Sequence, residues 1–187
     1  MSDDPGSDAD TARVSPSGFS HLDSRGAARM VDVSAKPVSV RTARATGLVR
    51  TTPEVVARLR DQSLPKGDAL AVARIAGIQA AKRTPELIPL AHPIALHATE
   101  VELDVGDDGV RIAARITTAD RTGVEMEALT AVAVAGLALM DMIKGLDPAA
   151  VLTDVRVEEK SGGRSGHWVR SSDRVGAADQ AETAETR

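Results

Sequence analysis

From Ile94 to Val105 the chain alternates, with His97, Thr99, Val101, Leu103 and Val105 on one side and Ala98, Glu100, Glu102 and Asp104 on the other. Gly106-Asp107-Asp108-Gly109 reads as a turn. Val110, Ile112, Ala114 and Ile116 then point inward again, while Arg111 and Arg115 point outward. This pattern predicts an antiparallel hairpin with one buried face, its acidic and basic outer rows placed for cross-strand pairing. In the inward set, His97 is expected to pack partly buried. The period then changes. Val124 to Lys144 reads as one long helix, apolar almost throughout from Ala128 to Met140 and ended by Gly145 and Asp147-Pro148. A helix apolar nearly all round needs cover on more than one side, which points to subunit contact.

Earlier in the chain, Met30 to Ala35 and Val38 to Val49 have the β-branched content of strands, separated by Pro37. Thr52-Pro53-Glu54 is a helix start, with Val55, Val56 and Leu59 as its buried face. That helix ends before the tight loop Pro65-Lys66-Gly67. Asp68 caps an alanine-rich helix from Ala69 to about Arg83, whose large apolar residues are Leu70, Val72, Ile75 and Ile78; Thr84-Pro85 stops it. In Leu87-Ile88-Pro89-Leu90-Ala91-His92-Pro93, two prolines stiffen the loop around His92. Val151 to Val157 reads as a last strand, before the glycine-rich loop from Lys160 to Gly166. Strands with two main helices predict an α+β fold, helices on one face of the sheet.

Composition changes this picture in two ways. Of 187 residues, only one Phe and one Trp are aromatic, so the core is built from small side chains and depends on close packing or on partner subunits. Cysteine is absent, which excludes disulfides, thiolate metal sites and cysteine nucleophiles. No stretch reads as long enough to span a bilayer, and the acidic start lacks the features of a signal peptide, so the chain is expected to be soluble and cytoplasmic. Residues 1–25 and 171–187 are polar and aperiodic and read as disordered tails flanking one domain over 26–170. They hold most of the charge. Net −4 overall divides into −3 over residues 1–20, −2 over 171–187 and +1 between them. A near-neutral body with local cations suits a small anion better than a nucleic acid.

The candidate chemistry lies in scattered polar positions. Lys66 precedes a helix start, where its ammonium and exposed N–H groups both favour an anion, although a solvated loop lysine would look the same. Arg74 and Lys82 share a face of the alanine-rich helix; the alternative is a wet helix surface. His92, positioned by prolines, could donate to a phosphate or move protons near neutral pH. Glu125 and Glu127 bracket Met126 in a first turn, where complementing the helix dipole would alone explain them. Asp141 and Lys144 are spaced as an i,i+3 ion pair, but an aspartate there opposes the dipole and follows buried positions, so an acid/base pair is the sharper reading. The run from Lys160 to Gly166 offers backbone N–H groups and two cations to a phosphate. Four scattered histidines have no metal-ligand spacing.

Seven stretches, in order, resemble the cyclic pyranopterin monophosphate synthase family, molybdenum cofactor biosynthesis protein C. They are Met30-Val-Asp-Val-Ser-Ala-Lys36, Lys66-Gly-Asp68, Ala73-Arg-Ile-Ala-Gly-Ile-Gln-Ala-Ala-Lys-Arg-Thr84, Leu87-Ile-Pro-Leu-Ala-His-Pro93, Thr122-Gly-Val-Glu-Met-Glu-Ala-Leu-Thr130, Asp141-Met-Ile-Lys144 and Lys160-Ser-Gly-Gly-Arg-Ser-Gly166. The resemblance implies a ferredoxin-like subunit with an antiparallel sheet and two main helices on one face. It implies a homohexamer, a trimer of dimers, with each site between subunits. The implied reaction converts 3′,8-cyclo-7,8-dihydroguanosine triphosphate to cyclic pyranopterin monophosphate and pyrophosphate. Asp141 would be the catalytic acid/base, with Lys144 as its partner and Lys66 at the reacting centre. Leu90, Ala91, His92, Met126 and Glu127, with Glu125, would line the substrate pocket. Arg41, Arg74, Lys82, Lys160 and Arg164 would be phosphate-side cations. No tightly bound cofactor is expected, and whether Mg²⁺ accompanies the triphosphate is left open by the sequence. Two positions depart from the family: Ala91 stands where Cys is frequent, and Arg164 where Lys is, trading a point charge for a fork.

Two other readings compete. A non-catalytic nucleotide-binding module would use the same cations but leave Asp141 beside Lys144 unexplained. An RNA-binding domain of this class would need aromatic residues on its sheet, and the chain has almost none.

Overall fold

The computed structural model describes residues 27–164 and 166–171, so both tails largely lie outside it. The chain divides into two compact units at Asp32/Val33. Met30 to Asp32 carry neither helix nor strand, and in the second unit Val33 to Lys36 form a turn closed by Lys36 N–H to the Val33 carbonyl. The strand expected over Met30–Ala35 is therefore absent.

The second unit is α+β. Strand β1 (Ser39–Arg50) leads to helices α1 (Pro53–Arg60), α2 (Ala69–Ala81) and the one-turn α3 (Thr84–Leu87). The hairpin β2 (Ala98–Val105) and β3 (Gly109–Asp120) follows, then α4 (Glu125–Ile143), β4 (Val151–Ser161) and a two-residue β5 (Trp168–Val169). The five strands form one antiparallel sheet in the order β2-β3-β1-β4-β5. Helix α4 packs on β1, β3 and β4; α2 packs on α4 and β2.

The two caps read from sequence are present. Thr52 accepts the Val55 N–H to open α1, and Asp68 Oδ1 accepts the Ala71 N–H at 2.9 Å to open α2. Thr84 does not end the helical path outright. It starts α3 with Pro85, its hydroxyl donating to the Ala81 carbonyl from a fully buried position. The hairpin register sets Glu100 opposite Arg115 and Asp104 opposite Arg111, as the alternation requires. Arg115 also reaches Glu159 on β4, at 3.7 Å. His97 departs from its expected place. It lies one residue before β2, exposed, and its Nδ1 accepts the Ala119 N–H. The inward row begins at Thr99.

Close approach compensates for the missing aromatics. On α2 the side facing the core is Ala69, Ala73, Gly77, Ala80 and Ala81, while Val72 and Ile75 face outward and are about half exposed. A Cβ on Gly77 would lie 2.9 Å from the Ala131 carbonyl and 3.1 Å from the Ala135 Cβ. Likewise a Cβ on Gly47 of β1 would lie 2.7 Å from a Val132 methyl, so α4 sits directly on the sheet's midline. Ile112, Ile116, Leu139 and Ile143 fill the remaining space. By length and composition α4 could cross a membrane, contrary to the sequence reading; here half of it is buried against the sheet and α2, as a core helix.

Candidate functional site

The predicted residues gather at the two ends of α4. Two contacts show that α2 runs antiparallel to α4: Lys66, just before α2, reaches Asp141 in the last turn of α4, and Gly77 midway lies on Ala131 and Ala135. The loop carrying Lys66 is a turn closed by the Gly67 N–H to the Leu64 carbonyl, with Gly67 at φ +90°. From it the Lys66 ammonium donates to the main-chain carbonyl of Asp141 at 2.6 Å and stands 3.5 Å from its carboxylate. Lys144 takes the other carboxylate oxygen at 2.7 Å.

This arrangement answers the dipole problem that an aspartate raises at a helix C-terminus. One orphan carbonyl of α4 gains a donor from Lys66, and two ammonium groups offset the carboxylate. The Lys144 hydrogen bond and charge, then Lys66, hold the Asp141 carboxyl below its ordinary range. All three side chains are 45–65% exposed. The result is an ionised carboxylate between two ammonium groups, open to a ligand and able to exchange protons with it.

At the other end of α4, the Glu125 carboxylate pairs with Lys160 at 2.8 Å, both about one-third exposed. Met126 is exposed, whereas Glu127 is buried at 3% exposure. Loss of water pushes the Glu127 carboxyl up to about 7; its own backbone N–H opposes this, and the Glu125 charge adds to it. Lys160 and Ser161 prolong β4 beyond the expected Val157, and the turn after them is fixed by Gly162 (φ +93°) and Gly163 (φ +70°). Arg41 lies beneath: any Cβ on Gly163 would strike its guanidinium, whose Nε donates to the Asp120 carbonyl at 2.9 Å. Arg164 is exposed on that turn.

The loop holding Leu90, Ala91 and His92, all partly buried, runs toward this same end. The Ala91 N–H bonds the Ile88 carbonyl, and the Thr118 hydroxyl holds the Ala95 carbonyl at 2.7 Å near the end of β3. Lys82 caps the C-terminus of α2 and is exposed. Arg74 joins neither group; its Nε donates to the Val101 carbonyl of β2. Among the described residues no cluster of three or more His, Asp or Glu is placed to hold a metal ion.

A depression of about 1260 Å³ opens elsewhere, on the outer face of the sheet between residues such as Arg44, Thr46, Arg111 and Arg156. It contains none of the candidate residues at the ends of α4, and two of its four arginines are paired with acids: Arg111 meets Asp108, and Arg156 meets Asp154 and Glu158. The candidate residues instead lie at the ends of α4, where carboxylates and ammonium groups meet at hydrogen-bonding distance.

A profile of the MoaC family matches residues 30–163, which include every residue just described except Arg164. The chain belongs to the MoaC family. It is 62% identical over 153 residues to a cyclic pyranopterin monophosphate synthase of Streptomyces avermitilis, covering 82% of this chain and 90% of that one. A protein of the same name from a Nocardioides species is 58% identical over 159 residues, covering 83% and 98%. Cyclic pyranopterin monophosphate synthase 2 of Mycobacterium tuberculosis is 56% identical over 152 residues, covering 81% and 91%.

The burial of two carboxylates escaped the sequence reading. Glu127 heads a row, with Ala131, Ala135, Leu139 and Ile143, spaced four apart and buried throughout; that spacing was the available signal that it is no ordinary first-turn glutamate. Asp147, read only as a helix stop, is buried and accepts from the Thr51 hydroxyl at 2.8 Å and the Thr52 N–H at 3.2 Å, tying the end of α4 to the start of α1.

Proposed function

We propose that this chain is a cyclic pyranopterin monophosphate synthase of molybdenum cofactor biosynthesis, a lyase that takes 3′,8-cyclo-7,8-dihydroguanosine triphosphate to cyclic pyranopterin monophosphate and pyrophosphate. The observation that carries the reading is Asp141 held between Lys66 and Lys144. The reaction moves protons on the purine-derived ring. A substrate oxygen then attacks the α-phosphorus, and the bond to the β-phosphate oxygen breaks. Asp141 is ionised in the free protein and takes a proton; Lys144, hydrogen-bonded to it, returns one. Lys66, three N–H donors on a flexible stem, stabilises charge as pyrophosphate leaves.

In this reading Leu90, Ala91, His92, Met126 and Glu127 line the pocket for the ring system. Arg41, Lys82, Lys160 and Arg164 take the phosphate side, where the backbone N–H groups of the Gly162–Gly163 turn add to them. Arg74 is the weakest member, since it is engaged with β2. Any Mg²⁺ would arrive with the triphosphate rather than in a protein cage, since the described residues hold no cluster of three or more His, Asp or Glu.

The two groups stand near opposite ends of a 19-residue helix, with Glu127 and Asp141 about 21 Å apart along it at 1.5 Å per residue. One small molecule does not bridge them within a subunit. This supports a site completed by the partner, in a homohexamer built as a trimer of dimers. Val72 and Ile75 on α2 and Leu137 on α4, 45–58% exposed, are apolar surface suited to that contact. The subunit is proposed to be ferredoxin-like, supported by the β-α-β-β-α-β order and by β1 lying between β3 and β4. The location is taken to be the cytoplasm.

Incubating the purified protein with the cyclic dihydroguanosine triphosphate tests the proposal directly. Cyclic pyranopterin monophosphate and pyrophosphate should form in equal amounts, and neither should form with Asp141→Asn. Tight binding with no product from the assembled protein would replace the enzyme with a regulatory binder.

A further inference from the structure

Glu125 stands among the residues expected to touch substrate, yet its carboxylate is already engaged. It lies at the first position of α4, where no side-chain cap is made, and it turns back over the preceding backbone: a Cβ on Gly123 would strike its Oε2. There it meets Lys160, 35 residues away in sequence, at 2.8 Å. The two side chains are 29% and 34% exposed. The exposed pairs Arg60–Asp107 and Lys144–Asp141 are as short; what sets this pair apart is its burial, whereas a first-turn glutamate that served only the helix dipole would point to water.

The other end of this contact is also fixed. Lys160 is held in β4 between Ala43 of β1 and Trp168 of β5, immediately before the Gly162–Gly163 turn that rests on Arg41. Its backbone is therefore set by the sheet, while four methylenes leave the ammonium free to swing. Glu125 is the carboxylate that stops this swing. An ammonium has three donors; among the described residues Glu125 takes one, which leaves donors for an anion on the side of Arg41 and the glycine turn.

We propose that Glu125 is a positioning residue that acts through Lys160, aiming its ammonium at the phosphate-bearing end of the ligand, and that it does not itself contact the substrate. This rests on the phosphate-side reading of Lys160 given above. A side chain at position 123 would displace this carboxylate.

The test is a double-mutant cycle read by calorimetric binding of inorganic pyrophosphate to the full-length protein, with turnover alongside. Lys160→Met should weaken pyrophosphate binding by about tenfold, and Glu125→Gln by roughly two- to fivefold. The double variant should bind no worse than Lys160→Met alone. Glu125→Asp, which keeps the charge on a shorter stem, should recover part of the loss and serves if Glu125→Gln folds poorly. In turnover, Glu125→Gln should raise KM with little change in kcat. Additive losses, or pyrophosphate binding in Glu125→Gln as tight as in the unaltered protein or tighter, would overturn the positioning role while leaving the phosphate side intact. If the unaltered protein bound no pyrophosphate, the phosphate-side reading of Lys160 would fail, and this inference with it.

Discussion

Lys66 engages Asp141 at two points, its main-chain carbonyl and its carboxylate, so the loop before α2 is tied to the last turn of α4 by one side chain. Lys144 contributes more to the acidity of that carboxyl, through a shorter contact of 2.7 Å. The order of the two effects is measurable. Lys144→Met should raise the Asp141 pKa toward its ordinary value by more than Lys66→Met does, as read by carbon-detected NMR titration. A larger rise from Lys66→Met would reverse the roles assigned here. Because a depressed pKa contributes stability only above the unfolded value, each variant should lose stability at neutral pH and converge with the parent as pH falls through the Asp141 pKa.

Glu127 has the opposite sign. Its folded pKa of about 7 stands above the usual 4.5, so folding favours its neutral form. That contribution is complete below about pH 4.5 and is lost as pH rises to about 7, a fall of roughly 3 kcal/mol for a shift of this size. The depressed carboxyls of Asp107, Asp141, Asp147, Glu158 and Glu159 titrate below this window and do not mask it. Urea midpoints measured from pH 5 to pH 8 should therefore decline in the parent and stay flat in Glu127→Gln. A parent curve as flat as the variant's would mean that Glu127 is ionised and solvated.

The local grammar of the chain carried the fold a long way. Alternation over 94–105 and 110–117 gave the hairpin and its buried face, and Thr52 and Asp68 marked two helix starts by the hydrogen bonds they make. Three things resisted. His97 alternates in step with the inward row but falls outside the ladder, because period alone does not say where a strand begins. Glu127 looked like dipole complementarity because a first turn tolerates acids; its burial comes from tertiary packing. The distance between the two residue groups depends on α2 running antiparallel to α4, which no local pattern encodes. The motif resemblance named the site residues together, whereas the single chain sets them at two ends of a helix.

The alanine face of α2 makes a stability prediction. With the Gly77 Cα this close to α4, a branched side chain has nowhere to go: its Cβ already meets Ala131, Ala135 and Val101 within 3.4 Å. Gly77→Val should cost about 1–3 kcal/mol by overpacking, seen as a lower denaturant midpoint with an unchanged slope. Ile75→Gln, two residues away on the exposed side, should leave the subunit's own stability nearly unaltered. Equal losses at both positions would mean that the helix faces are assigned the wrong way round.

Complementation decides whether the two ends of α4 meet across subunits. Asp141→Asn damages the group at the C-terminal end, and His92→Ala the group near the N-terminal end; each alone should be inactive or nearly so. In a mixed pair of subunits, a site assembled from both chains takes its Asp141 from one and its His92 from the other. One of the two sites then carries both lesions, and the other carries neither. Equal co-expression makes half the pairs mixed, so about a quarter of the parent activity should return under two-fold symmetry. If each site were built within one chain, every site would keep one lesion and mixing would restore nothing. The measurement is product formation by the co-purified mixture against each variant alone, and persistent inactivity in a verified mixed oligomer would place both groups in separate roles rather than one site.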